Sequence, residues 1–135
     1  MTTEEAKNEM DGAECGLHQT ADLHAAAAST GRVLVQPEPN QLLIDCDSMD
    51  ALKRTVELLG IFKQQRDCGW TTTKPSSTLG HYHVTVTLHD CDVVGAWERI
   101  FFQALLGSDP KRELLATLQA WNDDKDPVSV FYEDP

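Results

Sequence analysis

The chain has 135 residues and a formal net charge of −11, with 41% hydrophobic and 7% aromatic residues. That length suits one domain with a small core, and no apolar run is long enough to span a membrane. The acid excess excludes a basic nucleic-acid footprint, because non-specific affinity for a phosphate backbone comes from Lys and Arg; it leaves a metal-loaded site, a basic partner or plain solubility.

Residues 1–30 read as a tail, disordered or a loosely docked helix, and residues 31–135 as one α+β domain. Six acids stand against Lys7 alone in that tail. Its Ala25–Ala28 run is helix-competent, with Asp22 as a candidate N-cap. Met1 to Glu14 is acidic and polar, unlike a secretory signal. The expectation is a cytoplasmic protein with Cys15, Cys46, Cys68 and Cys91 reduced, most of them filling small core or edge positions.

Arg32 to Gln36 is a short strand, followed by a turn at Pro37–Asn40. Gln41 to Cys46 is a second strand. A helix capped by Asp47 or Ser48 follows, with Leu52, Val56, Leu59 and Phe62 at helical spacing. Asp67 to Thr73 suits a strand. Lys74 to Gly80 is a polar loop containing Ser76 and Ser77. His81 to Leu88 is the clearest strand of the chain. A helix from about Val94 to Leu106 stops at Gly107, a natural C′ residue. Asp109 and Pro110 open another as N-cap and N1, and Leu114, Leu115, Leu118 and Trp121 are expected to face the core. Val128 to Glu133 is a last strand. The order β, β, α, β, β, α, α, β predicts a mainly antiparallel sheet with about three helices on one face and an open polar face. Trp70, Trp97 and Trp121 are expected to pack in the core or at its edge.

Side chains alternate along a strand. Asp45 and Asp47 therefore share one face of their strand, and His81, His83, Thr85 and Thr87 share one face of theirs. If the two strands lie in one sheet, two carboxylates and two imidazoles converge on its open side. Carboxylates bind magnesium or manganese, and imidazole suits zinc. Zinc is the lesser alternative, since His89-Asp90-Cys91 has no recognised ligand spacing. The competing reading makes Asp47 a cap and leaves the histidines hydrogen-bonded on a surface. Arg99 is a candidate phosphate contact or a partner of Glu98 or Asp92. Lys111 and Arg112 sit in a first helical turn, where cations oppose the macrodipole, and are candidate anion ligands.

Ile44-Asp45-Cys46-Asp47, then a helix, then Ser76-Ser77-Thr78-Leu79-Gly80-His81-Tyr82-His83-Val84, resembles the motif order of the archaeo-eukaryotic primase and primase-polymerase superfamily. The resemblance implies that Asp45 and Asp47 hold catalytic divalent metals. It implies that His83 contacts nucleotide phosphates, with His81 nearby and Ser76 or Ser77 in the loop. Asp109 is the candidate third acid. The block from Arg99 to Glu113 is similar to small proteins encoded by tailed bacteriophages. His83-Val84-Thr85 also resembles the His-x-Thr motif of two-histidine phosphoesterases, which carry two such motifs where this chain shows one. The first functional expectation is therefore a small palm-like domain that binds a divalent metal and a nucleotide or nucleic-acid end, with metal-assisted phosphoryl chemistry if it is active. The alternative is a non-enzymatic acidic protein, an inhibitor or DNA mimic, binding a basic protein partner. A third is an assembly component, whose sign would be a symmetric oligomer.

Overall fold

The computed structural model describes residues 16–66 and 68–134. Its elements are α1 (Gly16–Ser29), β1 (Val33–Val35), β2 (Gln41–Cys46), α2 (Met49–Gln65), β3 (Cys68–Pro75), β4 (Tyr82–Leu88), α3 (Ala96–Leu105), α4 (Pro110–Asp123) and β5 (Phe131–Glu133). The α+β expectation holds: four helices accompany antiparallel sheets totalling five strands among the described residues. The extra helix is α1, which packs against β1 and buries Ala27. The part of the expected tail before residue 16 lies outside the described residues.

The strands form two sheets. One is three-stranded in the order β2-β4-β3, and the other is the ribbon β1-β5. In the larger sheet, Leu42, Ile44 and Cys46 of β2 share a face with Val84, Val86 and Leu88 of β4, and all six are buried. Burying an aliphatic side chain of this size contributes about 1.5–3 kcal/mol, so this face anchors the fold. Leu59 of α2 and Leu106, just after α3, complete that cluster, with Leu52, Phe62 and Phe102 packed against it. Ser48 caps α2 by accepting a hydrogen bond from the Ala51 amide at 3.0 Å.

Two apolar patterns point the other way from expectation. Val56 is exposed, and Thr55 takes the buried position, its hydroxyl donating to the Leu106 carbonyl at 2.8 Å. That close approach needs Gly107, whose φ is +95° and where a Cβ would lie 2.9 Å from Thr55 Oγ1. On α4 the reversal is larger. Leu114, Leu115, Leu118 and Trp121 are exposed, while Glu113, Gln119 and Ala120 are buried. The reason lies in β2, whose outer edge presents backbone polar groups that an apolar helix face would leave unsatisfied. None of Trp70, Trp97 and Trp121 is buried either; they are 60%, 45% and 75% exposed.

Candidate functional site

The second face of the three-stranded sheet carries the histidine strand's polar side. Register sets Asp45 opposite His83 and His83 opposite Lys74, so the three form one row across β2, β4 and β3. The convergence of carboxylate and imidazole follows from strand alternation as expected. The face is not open at that row, however. The β1–β5 ribbon crosses it, and Phe131 stacks on the His83 ring with centroids 3.9 Å apart and planes 1° off parallel. Glu133, two residues on and therefore on the same side of β5, approaches both His83 Nδ1 and Lys74 Nζ at 3.3 Å. Asp45 Oδ1 lies 3.8 Å from His83 Nε2. His83 is 7% exposed, with a carboxylate facing each ring nitrogen. Neither Phe131 nor Glu133 stands out in the sequence; the only signal is their i, i+2 spacing in a short terminal strand.

Burial pushes the Asp45 carboxyl above its ordinary value. Arg112 and His83 pull it back, Asp109 adds to the rise, and His81 pulls it down weakly. His81 and Asp109 are thus within electrostatic reach of Asp45. Asp47 is not. The β2 strand ends at Cys46, so alternation stops before Asp47, which sits exposed in the bend ahead of the Ser48 cap. Among the described residues no three His, Cys, Asp or Glu side chains converge to hold a metal ion. Strand alternation therefore does not align Asp47 with Asp45 for the two-carboxylate metal site that the resemblance implies.

The basic candidates have structural engagements. The outer edge of β2 is covered by side chains of α3 and α4 rather than by another strand. Arg99 Nε donates to the Gln41 carbonyl at 2.8 Å, and its Nη2 reaches the carbonyls of Glu38 and Pro39. Its partners are backbone oxygens, not Glu98 or Asp92. Gln103 Oε1 accepts from the Leu43 amide at 2.8 Å, and Ser108 Oγ accepts from the Asp45 amide at 3.0 Å. Arg112 Nη1 donates to the Leu43 carbonyl at 2.8 Å and its Nη2 to the Val130 carbonyl at 3.2 Å. Its guanidinium carbon lies 5.1 Å from the Phe131 centroid, a cation–π distance. Glu113 Oε1 pairs with Arg112 at 3.2 Å and Glu113 Oε2 accepts from Gln103 Nε2 at 2.9 Å. Gln103 Nε2 also reaches Ser129 Oγ at 3.0 Å, tying the base of β5 into the network. A sheet edge left bare invites pairing with another chain; here a buried polar network closes it.

The loop residues are quieter. Ser76 Oγ accepts from the Thr78 amide at 3.0 Å, and the Ser76 amide donates to the His81 carbonyl. Ser77 and His81 are half-buried, and Lys111 is exposed in the first turn of α4, where the Asp109 carboxylate accepts from its amide at 3.0 Å.

The strongest surface feature lies on the other side of the helical pair. Glu113 meets Gln103 near the short turn joining α3 and α4, while Trp97 and Trp121 line one hollow at the far end, so the helices run antiparallel. Trp97, Phe101 and Leu105 recur every four residues on α3 and are all exposed. Leu114, Leu118 and Trp121 recur at four and three on α4, also exposed. These are single-face spacings. The three aromatics alone leave on the order of 350 Å² in water, taking about 200 Å² for a whole ring side chain. The largest patch on a typical monomer is about 300–600 Å² and is often functional. The hollow, about 480 Å³, has Ala120 at its base with Asp124, Lys125 and Asp126 around it.

Compared with protein-family models, curated proteins and solved structures, the chain matches none.

Proposed function

We propose that this protein is a non-enzymatic interaction module whose α3–α4 face docks a basic, amphipathic segment of a partner protein. The observation that carries the reading is the inverted helical hairpin. On its inner side Gln103 and Arg112 are tied to the β2 edge beside the buried Ile100, while its outer side holds two parallel rows of large apolar residues. Single exposed apolar residues are ordinary, but contiguous rows are the usual mark of an interface. A helix laid along such rows would be read at i, i+3, i+4 and i+7. Net charge selects the occupant. A chain at −11 attracts a cationic segment and disfavours a second copy of itself.

The test uses a fluorescein-labelled designed amphipathic peptide of Leu and Lys, with a Leu and Glu twin as control. Anisotropy should give a Kd on the order of micromolar for the basic peptide, weakening with salt, and no saturation for the acidic one. Phe101→Gln/Leu118→Gln keeps the charge and should weaken binding at least about tenfold, the loss expected of central apolar anchors. Equal binding by that variant, or none by the wild type, sinks the reading. A dimer in sedimentation that the same variant dissociates would replace the partner with a second copy.

A second reading keeps the Asp45 corner as a site for magnesium or manganese and a nucleotide. One observation favours it: Asp45 and His83 face each other across the β2–β4 register, with Asp45 Oδ1 3.8 Å from His83 Nε2. Calorimetric titration of manganese with a nucleoside triphosphate, repeated on Asp45→Ala, tests it. Heat that saturates in the wild type and vanishes in the variant would favour it over the docking reading; no heat in either protein would remove it.

A further inference from the structure

The hollow at the Trp97–Trp121 end of the hairpin differs from the rest of the exposed rows. Its lining combines aromatic and charged side chains. Here two indoles, 45% and 75% exposed, meet three charged side chains at the end of a helix. We infer that this hollow takes a cationic side chain, the guanidinium of an arginine or the ammonium of a lysine, from the segment that docks on the α3–α4 face. The inference rests on the docking reading and adds to it a subsite with its own chemistry.

Three independent features favour a cation at that place. Indole is the best aromatic partner for a cation held over its face, and Trp97 and Trp121 both line the space. Helix α4 ends beside it, and a helix C-terminus carries partial negative charge on its last carbonyls. Lys, Arg or His in the last turn usually answers that charge, and α4 has none there. The chain instead runs on through Asp123, Asp124, Lys125 and Asp126, three acids to one base at the end that already carries negative potential. Asp124 and Asp126 line the hollow together with Lys125.

The backbone fixes this arrangement. Asp124 takes the left-handed conformation, φ 52° and ψ 48°, and the Lys125 amide donates to the Ala120 carbonyl at 3.0 Å. This is the terminating turn that glycine or asparagine usually occupies. Here an aspartate holds it, so the turn carries a carboxylate to the rim of the hollow. An arginine would match the site by stacking its plane on an indole, a lysine by presenting a point charge to the carboxylates. A neutral apolar side chain would meet the same indoles and leave the acids unanswered.

The experiment is a peptide-by-protein cycle. Leu and Arg peptides are prepared with each arginine replaced in turn by citrulline, its neutral isostere. A parallel Leu and Lys series replaces each lysine by acetyl-lysine. Affinities are measured on the full chain and on Trp121→Leu, which keeps an apolar side chain but removes the aromatic face. Trp121 is exposed, so a thermal melt unchanged from the wild type verifies the variant's fold. One position in a series should lose about five- to tenfold on the wild-type protein and nothing further on Trp121→Leu, a coupling in the range of a cation over indole. In NMR spectra, the indole N–H signals of Trp97 and Trp121 should move with the charged peptide, while that of Trp70, on β3, stays in place. The series in which coupling appears tells guanidinium from ammonium. Additive losses at every position, or Trp121→Leu binding as tightly as the wild type, overturn the cation subsite while Phe101→Gln/Leu118→Gln still reports on the docking face. If that double variant also binds like the wild type, the docking reading itself falls.

Discussion

Removing Arg112 should be among the most damaging single changes in this chain, and the reason is Glu113. Arg112→Met deletes donors to the carbonyls of Leu43 and Val130 and to Ser108 Oγ, and it leaves Glu113 without its cation. The Glu113 side chain is only 5% exposed, so the stranded carboxylate has little access to bulk water. Breaking a buried pair from one side costs about 3–5 kcal/mol. A domain of this size has about 5–15 kcal/mol to lose. The loss should lower Tm by roughly 10–20 °C. Burial already holds the Glu113 carboxyl above its ordinary value of 4.5, with Arg112, Gln103 and Ser108 opposing the rise. Without Arg112 it rises further, so the variant should regain stability as pH falls into the acid range. The decisive comparison is the double variant Arg112→Met/Glu113→Gln. It removes both charges and should be more stable than Arg112→Met by about 2 kcal/mol, because an unpaired buried charge costs more than an unpaired amide. Urea unfolding followed by circular dichroism, with equal m-values, gives these differences. A single-variant cost below about 1 kcal/mol, or a double variant no more stable than the single, would refute the argument.

Three further outcomes follow from the same contacts. Because burial raises the Asp45 carboxyl, the folded chain binds this proton more readily than the unfolded chain, and the group's contribution to stability falls as pH rises from 3.8 through the raised value. Asp45→Asn lacks that dependence, so urea unfolding across the acid range should find its stability relative to wild type climbing with pH and then levelling. Gly107→Ala should cost about 2 kcal/mol or more, from positive φ plus the 2.9 Å approach to Thr55, whereas Gly80→Ala, with φ +81° and no described atom within 4 Å of a new Cβ, should cost about 1 kcal/mol; equal costs in thermal melts would contradict the packing account. Phe101→Gln/Leu118→Gln should leave stability within about 1 kcal/mol of wild type, since both side chains already face water; a large loss would mean that the outer face supports the fold.

Element order was readable because hydrophobic period and turn chemistry act locally. Leu42, Ile44 and Cys46 share one face of a short run and turn inward, and Asp109-Pro110 announces a helix start by cap and fixed φ. The meeting of Asp45 with His83 was readable too, given alternation and an antiparallel pair. The inversion of α4 was not. Its leucines repeat at helical spacing, and spacing identifies a face without saying which way it points. Direction was decided by the bare edge of β2, a tertiary demand met by Gln103, Ser108, Arg112 and Glu113. The same demand explains why Arg99 and Arg112, plausible phosphate ligands by residue type, are held by backbone carbonyls. The covering of His83 was equally hidden, because it depends on where a three-residue strand at the far end of the chain comes to rest.

The central claim is that the outer face of α3 and α4 is the working surface. Amide and indole chemical-shift mapping of the isotope-labelled chain with the Leu and Lys peptide tests it most directly. The account predicts shifts concentrated on Trp97, Phe101, Leu105, Leu114, Leu118 and Trp121, with Asp45, His83 and Glu133 unmoved. Shifts centred on Asp45 and His83, or no shifts at saturating peptide, would contradict it.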